Sequence, residues 1–358
     1  MAALDVLLTA LKERKGSDLH LAAGCPPRMR AKGSLEVIEG QAVQSDAELR
    51  AMLRELATPE QWADYEASGD LDFAYGLPGV ARFRGNYLVQ ENGAAAVFRI
   101  IPEEILTAED LGLPAPITKL ADLQKGLVLV TGPTGSGKST TLAAIIHHIN
   151  TFKCRHIVTI EDPVEFVHQN QQSVLSHREV GSHTQGFGPA LRAAIRQDAD
   201  VVLVGEMRDR ETIGLAITAA EMGMLVFGTL HTNSAAKTID RIIDAFPAKE
   251  QSQVRISLSE SLAAVVSQLL VPTADGKGRC AVHEILLRTS ALPNIIREGK
   301  ITMLNSLIES GKALGMQTMD DTLFALAKAG RIRPEDAYMK ATNKGRFESM
   351  APRDEAAA

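Results

Sequence analysis

The stretch GLVLVTGPTGSGKSTTLAAIIHHIN, residues 126–150, decides the fold class. Its apolar start, GLVLV, is typical of a buried strand, and TTLAAIIHHIN is typical of a helix. The loop between them, Gly132–Ser139, matches the pattern G-x-x-x-x-G-K-[ST] at every position. A strand, a glycine-rich loop and a helix in this order predict a loop whose backbone N–H groups surround phosphate groups.

This loop predicts a nucleotide site for ATP with Mg²⁺. Lys138 would supply positive charge to the β- and γ-phosphates, and the hydroxyl of Ser139 would ligate Mg²⁺. A chance glycine-rich turn is the alternative, and eight matching positions with the right flanks argue against it. The predicted nucleotide-binding residues are Pro133, Thr134, Gly135, Ser136, Gly137, Lys138, Ser139 and Thr140.

Short apolar runs before and after this loop indicate a parallel sheet. The runs are KGLVLV, HIVTI, DVVLV and MLVFGTL, and helical stretches separate them. Strands that are apolar throughout and alternate with helices are typical of a sheet covered on both faces, which predicts an α/β fold.

Two polar residues follow predicted strands of this sheet. Glu206 comes just after VVLVG, and His231 follows LVFGTL. Ligands bind at the carboxyl ends of parallel strands, so both side chains are expected at the phosphate site. We predict that Glu206 is the Walker B acid and holds Mg²⁺ through water, and that His231 contacts the γ-phosphate. A capped or solvated imidazole is the alternative for His231.

The segment TIEDPVEF, residues 159–166, carries three carboxylates in five positions. Glu161 and Asp162 end the predicted strand HIVTI, and Glu165 follows two residues after Pro163. A proline cannot continue a strand ladder, so the chain should turn there and redirect Glu165. The residues alone do not rank the three carboxylates, and a structural role stays open for Glu161 and Asp162.

Composition excludes several classes of protein. The 358-residue chain has 38 Lys and Arg against 44 Asp and Glu, a net charge of −6, which argues against a general nucleic-acid-binding protein. The three cysteines are too far apart for a zinc motif or a disulfide framework. Neither a signal peptide nor an apolar run of membrane-spanning length is recognisable, so we expect a cytoplasmic protein without direct membrane insertion.

The chain divides into regions of different pattern. Residues 1–100 combine helical stretches, one of them from about Asp46 to Ser68, with short strands and predict an α+β domain. Residues 101–118 are a proline-containing linker. Residues 119–345 hold the α/β pattern and turn helical after about 285. The tail, 346–358, lacks apolar periodicity and is predicted to be disordered.

Four motifs together resemble the secretion ATPase superfamily. GPTGSGKST, TIEDPVEF, VVLVGEMRD and GTLHTNSA stand in the order of its Walker A, Asp, Walker B and His boxes. GSDLHL near the start and LGMQTMD near the end are similar to the PilT-type ATPases that retract type IV pili in twitching motility. The similarity extends over residues 5 to 340.

The resemblance implies a hexameric ring ATPase. Each subunit would pair a PAS-like N-terminal domain with a RecA-like ATPase domain, with nucleotide between them and against a neighbouring subunit. The ring would dock on an inner-membrane pilus platform protein at the cytoplasmic face and drive disassembly of the pilin filament. The catalytic carboxylate of the Asp box would be Glu165, with Glu206 and His231 in the other two boxes.

The family also places arginines of the N-terminal domain near the γ-phosphate. In GVARFRGNYL, Arg82 and Arg84 are two positions apart, so on a strand they share a face opposite Phe83. A solvated strand face is the alternative reading of this pair. Arg99 of VFRII is a weaker candidate for the same role.

One motif departs from the retraction ATPases. Where they carry Ala-Ile-Arg-Asn-Leu, this chain has ALPNIIRE, residues 291–298, with Pro293 in place of the arginine. An accessory retraction motor that works with a paralogous ATPase therefore stays open. So does a pilus-assembly or type II secretion ATPase, although the chain lacks the extra domain and four-cysteine motif of that group. A conjugation-type secretion ATPase, a helicase and a nucleotide-binding regulator without hydrolysis fit the residues less well.

Overall fold

The computed structural model describes residues 3–31, 34–101 and 104–351. The contacts divide the chain into two compact units. The first contains the described residues up to Glu104 together with Pro163–Val167, and the second contains Ile105–Asp162 and the described residues from His168 onward. The boundary between Glu104 and Ile105 falls inside the segment that the sequence marks as a linker.

The first unit combines three helices with one antiparallel sheet. Its helices are α1 (Ala3–Glu13), α2 (Asp46–Arg54) and α3 (Pro59–Ser68). Its strands are β1 (Asp18–Ala22), β2 (Arg28–Ala31), β3 (Ser34–Val37), β4 (Asp70–Leu77), β5 (Ala81–Gln90) and β6 (Gly93–Ile101). The strand order is β3-β2-β1-β6-β5-β4, and each neighbouring pair is antiparallel.

One face of this sheet is apolar and packs against the helices. In β5 the buried positions alternate, with Phe83 and Tyr87 fully buried, as a strand with one covered face requires. Leu4 and Leu8 of α1 and Leu49 of α2 join the same apolar cluster. The α+β character predicted for this region is therefore present in the structure.

The single helical stretch expected from Asp46 to Ser68 is wrong in one respect, because the structure has two helices there. Thr58 caps the second helix by accepting a hydrogen bond from the backbone N–H of Gln61, whose side chain accepts one from the N–H of Thr58. Pro59 then occupies the first turn, where its missing N–H costs nothing. This capping box starts a new helix and ends the earlier one.

The second unit contains one mixed sheet and ten α-helices among its described residues. Its strands are β7 (Gly126–Thr131), β8 (His156–Glu161), β9 (Val174–Glu179), β10 (Val201–Val204), β11 (Leu225–Leu230), β12 (Leu262–Pro272) and β13 (Arg279–Leu287). Its helices are α4 (Ala115–Thr118), α5 (Lys138–Phe152), α6 (Phe187–Ala194), α7 (Arg210–Glu221), α8 (Ala235–Asp244), α9 (Ala248–Ser261), α10 (Leu292–Arg297), α11 (Leu304–Ser310), α12 (Met319–Lys328) and α13 (Pro334–Lys340).

The order of the second sheet is β13-β12-β7-β11-β10-β8-β9. All neighbours are parallel except the edge pair of β12 and β13. Every residue of β7 is buried, and its side chains alternate between two apolar clusters: Leu127 and Leu129 lie in one, Val128 and Val130 in the other. The predicted α/β fold is confirmed, since both faces of the central strands are covered.

The disordered tail predicted for 346–358 is wrong where the structure describes it. A 3₁₀ helix spans Lys344–Met350, and the ring of Phe347 is fully buried against Phe324 at a centroid distance of 5.7 Å. Burial of Phe347 and an ion pair of 2.7 Å between Arg346 and Asp321 hold this short segment against α12, although it carries no periodic pattern. Residues 352–358 of that prediction, and 102–103 of the linker, lie outside the described residues.

The described part of the chain contains no helix that is both long and apolar enough to cross a bilayer.

Candidate functional site

The glycine-rich loop leaves β7 and enters α5 through backbone conformations that favour glycine. Gly132 has φ 148° and Gly137 has φ 84°, and Gly137 is the N-cap residue of α5. A Cβ atom at Gly132 would clash with the main-chain oxygen of Gln268, and one at Gly137 would lie 2.9 Å from Gln268 Nε2. The two glycines are therefore required both by the backbone and by a neighbour in β12.

Polar groups of the loop point to a phosphate ligand. Lys138 Nζ donates to the main-chain oxygens of Gly132, at 2.8 Å, and Pro133, at 3.2 Å, so its ammonium lies over the loop. The hydroxyl of Ser136 is buried and has no hydrogen-bond partner among the described residues. A buried hydroxyl needs a partner, and nucleotide phosphate oxygens would supply one. Pro133, Thr134 and Gly135 are exposed, while Ser139 and Thr140 are half-buried in the first turn of α5.

Glu206 and His231 meet at the carboxyl ends of adjacent strands. Glu206 follows β10 and His231 follows β11, and His231 Nε2 lies 3.0 Å from Glu206 Oε1. The main chain fixes this approach, since Gly205 N donates to Ile160 O at 2.8 Å and Met207 N donates to Thr229 O at 3.0 Å. The sequence placed both side chains at this edge, but it did not predict that they would contact each other.

Arg208 is a residue of this site that the sequence reasoning missed. Its guanidinium Nη2 lies 2.6 Å from Glu206 Oε2. Burial raises the pKa of Glu206, but the hydrogen bond and charge of Arg208, with a further contribution from His231, outweigh burial and hold the pKa below its ordinary value. Glu206 is therefore an anion at neutral pH, and Glu206 in turn raises the pKa of Arg208.

The carboxylates of TIEDPVEF separate in the structure. Glu161 is the last residue of β8, as predicted, and a Cβ atom placed on Gly205 would come within 3.3 Å of its Cα atom. Asp162 is exposed and close enough to Arg208 to raise the pKa of that arginine further. Glu165 is half-buried in the segment Pro163–Val167, which groups with the first unit.

The candidate arginines lie on the polar face of the first sheet. Arg82 and Arg84 share that face of β5, while Phe83 points into the core, as the alternation predicts. Arg84 Nε donates to Asp72 Oδ1 at 3.1 Å. Arg99, the cross-strand partner of Arg84, donates to Asp18 Oδ1 at 2.7 Å. The two ion pairs, Arg84 with Asp72 and Arg99 with Asp18, therefore lie side by side across neighbouring strands of the sheet.

The residues present fit Mg²⁺ bound largely through nucleotide and water. Within residues 3–31, 34–101 and 104–351, no cluster of three or more His, Cys, Asp or Glu side chains could enclose a metal ion. Both oxygens of Glu206 already have partners. Mg²⁺ keeps several waters and commonly takes one or two protein ligands with substrate phosphates, so the hydroxyl of Ser139 and a water-mediated contact to Glu206 would fit such an ion.

The loop between β7 and α5, with an acid and a histidine at the neighbouring strand ends, defines a P-loop protein of the α/β class. The chain belongs to the type II/IV secretion system protein family, whose model matches residues 3–323.

Individual relatives agree with this assignment. The chain is 50% identical over 335 residues to the Pseudomonas aeruginosa protein named "Type IV pilus retractation ATPase PilT", covering 93% of this chain and 97% of that protein. It is 50% identical over 348 residues to a twitching motility protein of Neisseria gonorrhoeae, covering 97% and 92%. A crystal structure of the pilus retraction motor PilT with bound ADP superposes with a TM-score of 0.90 at 42% identity, covering 98% of this chain and 99% of that one. The predicted resemblance to PilT-type ATPases is confirmed.

Proposed function

We propose that this chain is an ATP-hydrolysing motor that retracts type IV pili. The contact between His231 and Glu206 beside the phosphate-binding loop carries the proposal, because it joins a charged acid and a γ-phosphate sensor at one sheet edge. The 50% identity to a named retraction ATPase over nearly the whole chain supports the same reading. The first unit would be the PAS-like domain, the second the RecA-like domain, and six chains would form the ring.

The loop and the first turn of α5 would bind the triphosphate of ATP. Backbone N–H groups from Pro133 to Thr140 would surround the β-phosphate, and Lys138 would place its ammonium near the β- and γ-phosphates. Ser139 and, through water, Glu206 would hold Mg²⁺, which when bound neutralises charge on the phosphate oxygens. The buried hydroxyl of Ser136, which has no hydrogen-bond partner in the described part of the chain, supports a ligand in this loop.

Hydrolysis needs a base, an anchor for the γ-phosphate and compensating positive charge. Glu165 would take the proton of the water that attacks the γ-phosphorus, as ADP leaves from the opposite side. His231 would contact the γ-phosphate, and its bond to Glu206 fixes the ring for that task. Arg82 and Arg84 would stabilise the charge that spreads over the transferred group.

Release of phosphate would remove the ligand that holds these groups together and let the two units change their arrangement, which is the source of mechanical work. The partner would be the inner-membrane pilus platform protein, and the ring would lie at the cytoplasmic face of that membrane. Nucleic acid is not expected as a partner, in keeping with the net charge of −6.

Deletion of the gene in its source organism tests the direction of the motor. A retraction motor predicts cells with excess pili that no longer twitch, whereas cells without pili would identify an assembly ATPase. Complementation of a strain that also lacks its paralogous ATPase separates the principal motor from an accessory one. The accessory reading rests on Pro293, which lies in the first turn of α10, where the helix accommodates proline without a break.

A further inference from the structure

Gln268 and its neighbour Ser267 are buried polar residues in the centre of the apolar strand β12. Gln268 is 2% exposed, and Val265, Val266 and Val271 of the same strand are fully buried. A buried amide is costly unless each of its polar atoms finds a partner. The hydrogen-bond partners of the Gln268 amide therefore indicate its role.

The amide of Gln268 connects the loop to the helix that follows it. Its Nε2 donates to the main-chain oxygen of Ser136 at 2.6 Å, and its Oε1 accepts from the hydroxyl of Thr141 at 2.8 Å. Ser136 lies in the loop and Thr141 in the first two turns of α5. One side chain therefore holds both sides of the turn on which Lys138 is carried.

The main-chain oxygen of Ser136 fixes the direction of the amide, because it can only accept and a reversed amide would place a second acceptor against it. His283 Nε2, in β13, lies 3.2 Å from Gln268 Oε1. Because Oε1 can only accept, His283 must be the tautomer with a proton on Nε2. Burial lowers the pKa of His283 to about 4, so the neutral ring persists at physiological pH.

His283 is itself held from the other side. Its main-chain oxygen accepts from Thr322 Oγ1 at 2.7 Å and from Gln317 Nε2 at 3.0 Å. Gln317 belongs to the LGMQTMD motif and bridges its backbone to Ile285. The main chain of His283 is thus bonded to α12, and its ring is bonded to Gln268, which contacts the phosphate-binding loop.

We infer that Gln268 is a positioning residue of the phosphate-binding loop, held in orientation by His283, and that it sets nucleotide affinity rather than the rate of the chemical step. The close approach of Gln268 to Gly132 and Gly137 explains why the loop tolerates no side chain at these two positions. Since the loop binds phosphates in the ground state and the transition state alike, loss of its position weakens both equally.

Replacement of Gln268 by methionine tests this inference, which rests on the proposed ATPase function. Gln268→Met keeps the volume and removes all three hydrogen bonds, so KM for ATP should rise about tenfold while kcat changes little. Amide hydrogen exchange of residues 132–141, measured without nucleotide, should accelerate in the same variant. A change confined to the melting temperature, with KM and loop exchange as in the parent, would overturn the inference.

The pair His283→Gln and His283→Met supplies the matched comparison. Glutamine keeps an N–H near the position of Nε2 and should retain the parental KM, whereas methionine should raise it. Equal KM values in the two variants would contradict the role of His283. If Gln268→Met does not fold, the isosteric Thr141→Val decides, because it removes one bond to Gln268 and should also raise KM and loop exchange. Hydrogen exchange requires no turnover, so it tests the role of Gln268 even if the protein does not hydrolyse ATP. A parent protein that releases no phosphate would contradict the ATPase proposal alone.

Discussion

His231 Nε2 lies 3.0 Å from one oxygen of Glu206, and Arg208 Nη2 lies 2.6 Å from the other. The carboxylate is thus shared between a histidine that is half exposed and a guanidinium, and it remains charged. Each carboxylate oxygen can accept a second hydrogen bond, so Glu206 can orient His231 and Arg208 and still accept a bond from a metal-bound water.

Glu206→Gln should retain nucleotide binding and lose hydrolysis. The amide keeps the size of the side chain but removes the charge that holds Arg208 and His231, so phosphate release should fall by about 100-fold or more. Steady-state phosphate release and fluorescent-nucleotide binding check this. Glu221→Gln, at an exposed carboxylate ending α7, is the matched control and should behave as the parent.

Glu165→Gln should bind ATP and stall. Loss of a general base lowers turnover by roughly 10² to 10⁴-fold, and Glu161→Gln, at the end of β8, should retain much more activity. Single-turnover hydrolysis with prebound ATP separates the two variants. Near-normal turnover in Glu165→Gln, or a larger loss in Glu161→Gln, would refute the assignment of the base.

Arg82→Gln and Arg84→Gln should lower kcat by about tenfold or more with little change in nucleotide affinity, because charge on the transferred phosphoryl group is greatest in the transition state. Arg99→Gln is the comparison, since Arg99 lies on the neighbouring strand β6, opposite Arg84, and is the weaker candidate for this role. If Arg99→Gln lowers kcat as much as the other two while melting temperatures stay equal, the three arginines act as one charged face and the specific assignment is wrong.

Acid should destabilise the fold through two buried histidines. Burial, with a smaller contribution from His177, lowers the pKa of His168 to about 3, and burial lowers that of His283 to about 4. The unfolded chain protonates both near pH 6.5, so it binds more protons than the folded chain between pH 6.5 and 4, and stability falls as the pH drops through that window.

The expected loss between pH 6.5 and pH 5 is about 1.5 kcal/mol for each histidine. Urea unfolding at the two pH values measures it. The double variant His168→Gln with His283→Gln should show a flatter dependence. An unchanged pH dependence in that variant would show that other groups cause the acid sensitivity.

The sequence was sufficient to predict the phosphate-binding loop and the residues at the strand ends, because local patterns encode both. Gly132–Ser139 is contiguous, and an apolar strand followed by Glu206 or His231 places that residue at the ligand edge of a parallel sheet. The split of α2 from α3 was missed, although the sequence carries its signal: Thr58 and Gln61 form a capping box, and Pro59 favours the first turn of a new helix.

The remaining parts of the site depend on contacts between distant segments. Gln268 reaches Ser136 across 132 positions and Thr141 across 127, and no local pattern specifies such a pair. The only signal was the polar pair Ser267 and Gln268 inside an apolar strand. Arg208 stood in the quoted motif, yet only the geometry reveals that it faces Glu206.

The proposed motor depends on the loop Gly132–Ser139 binding and hydrolysing ATP. Phosphate release by the purified protein and by its Lys138→Ala variant, with nucleotide binding measured on the same samples, is the decisive measurement. We expect Mg²⁺-dependent phosphate release by the parent protein, and neither binding nor release by the variant, because Lys138 supplies the charge that holds the phosphates. Equal phosphate release by both proteins would show that this loop is not the site of hydrolysis.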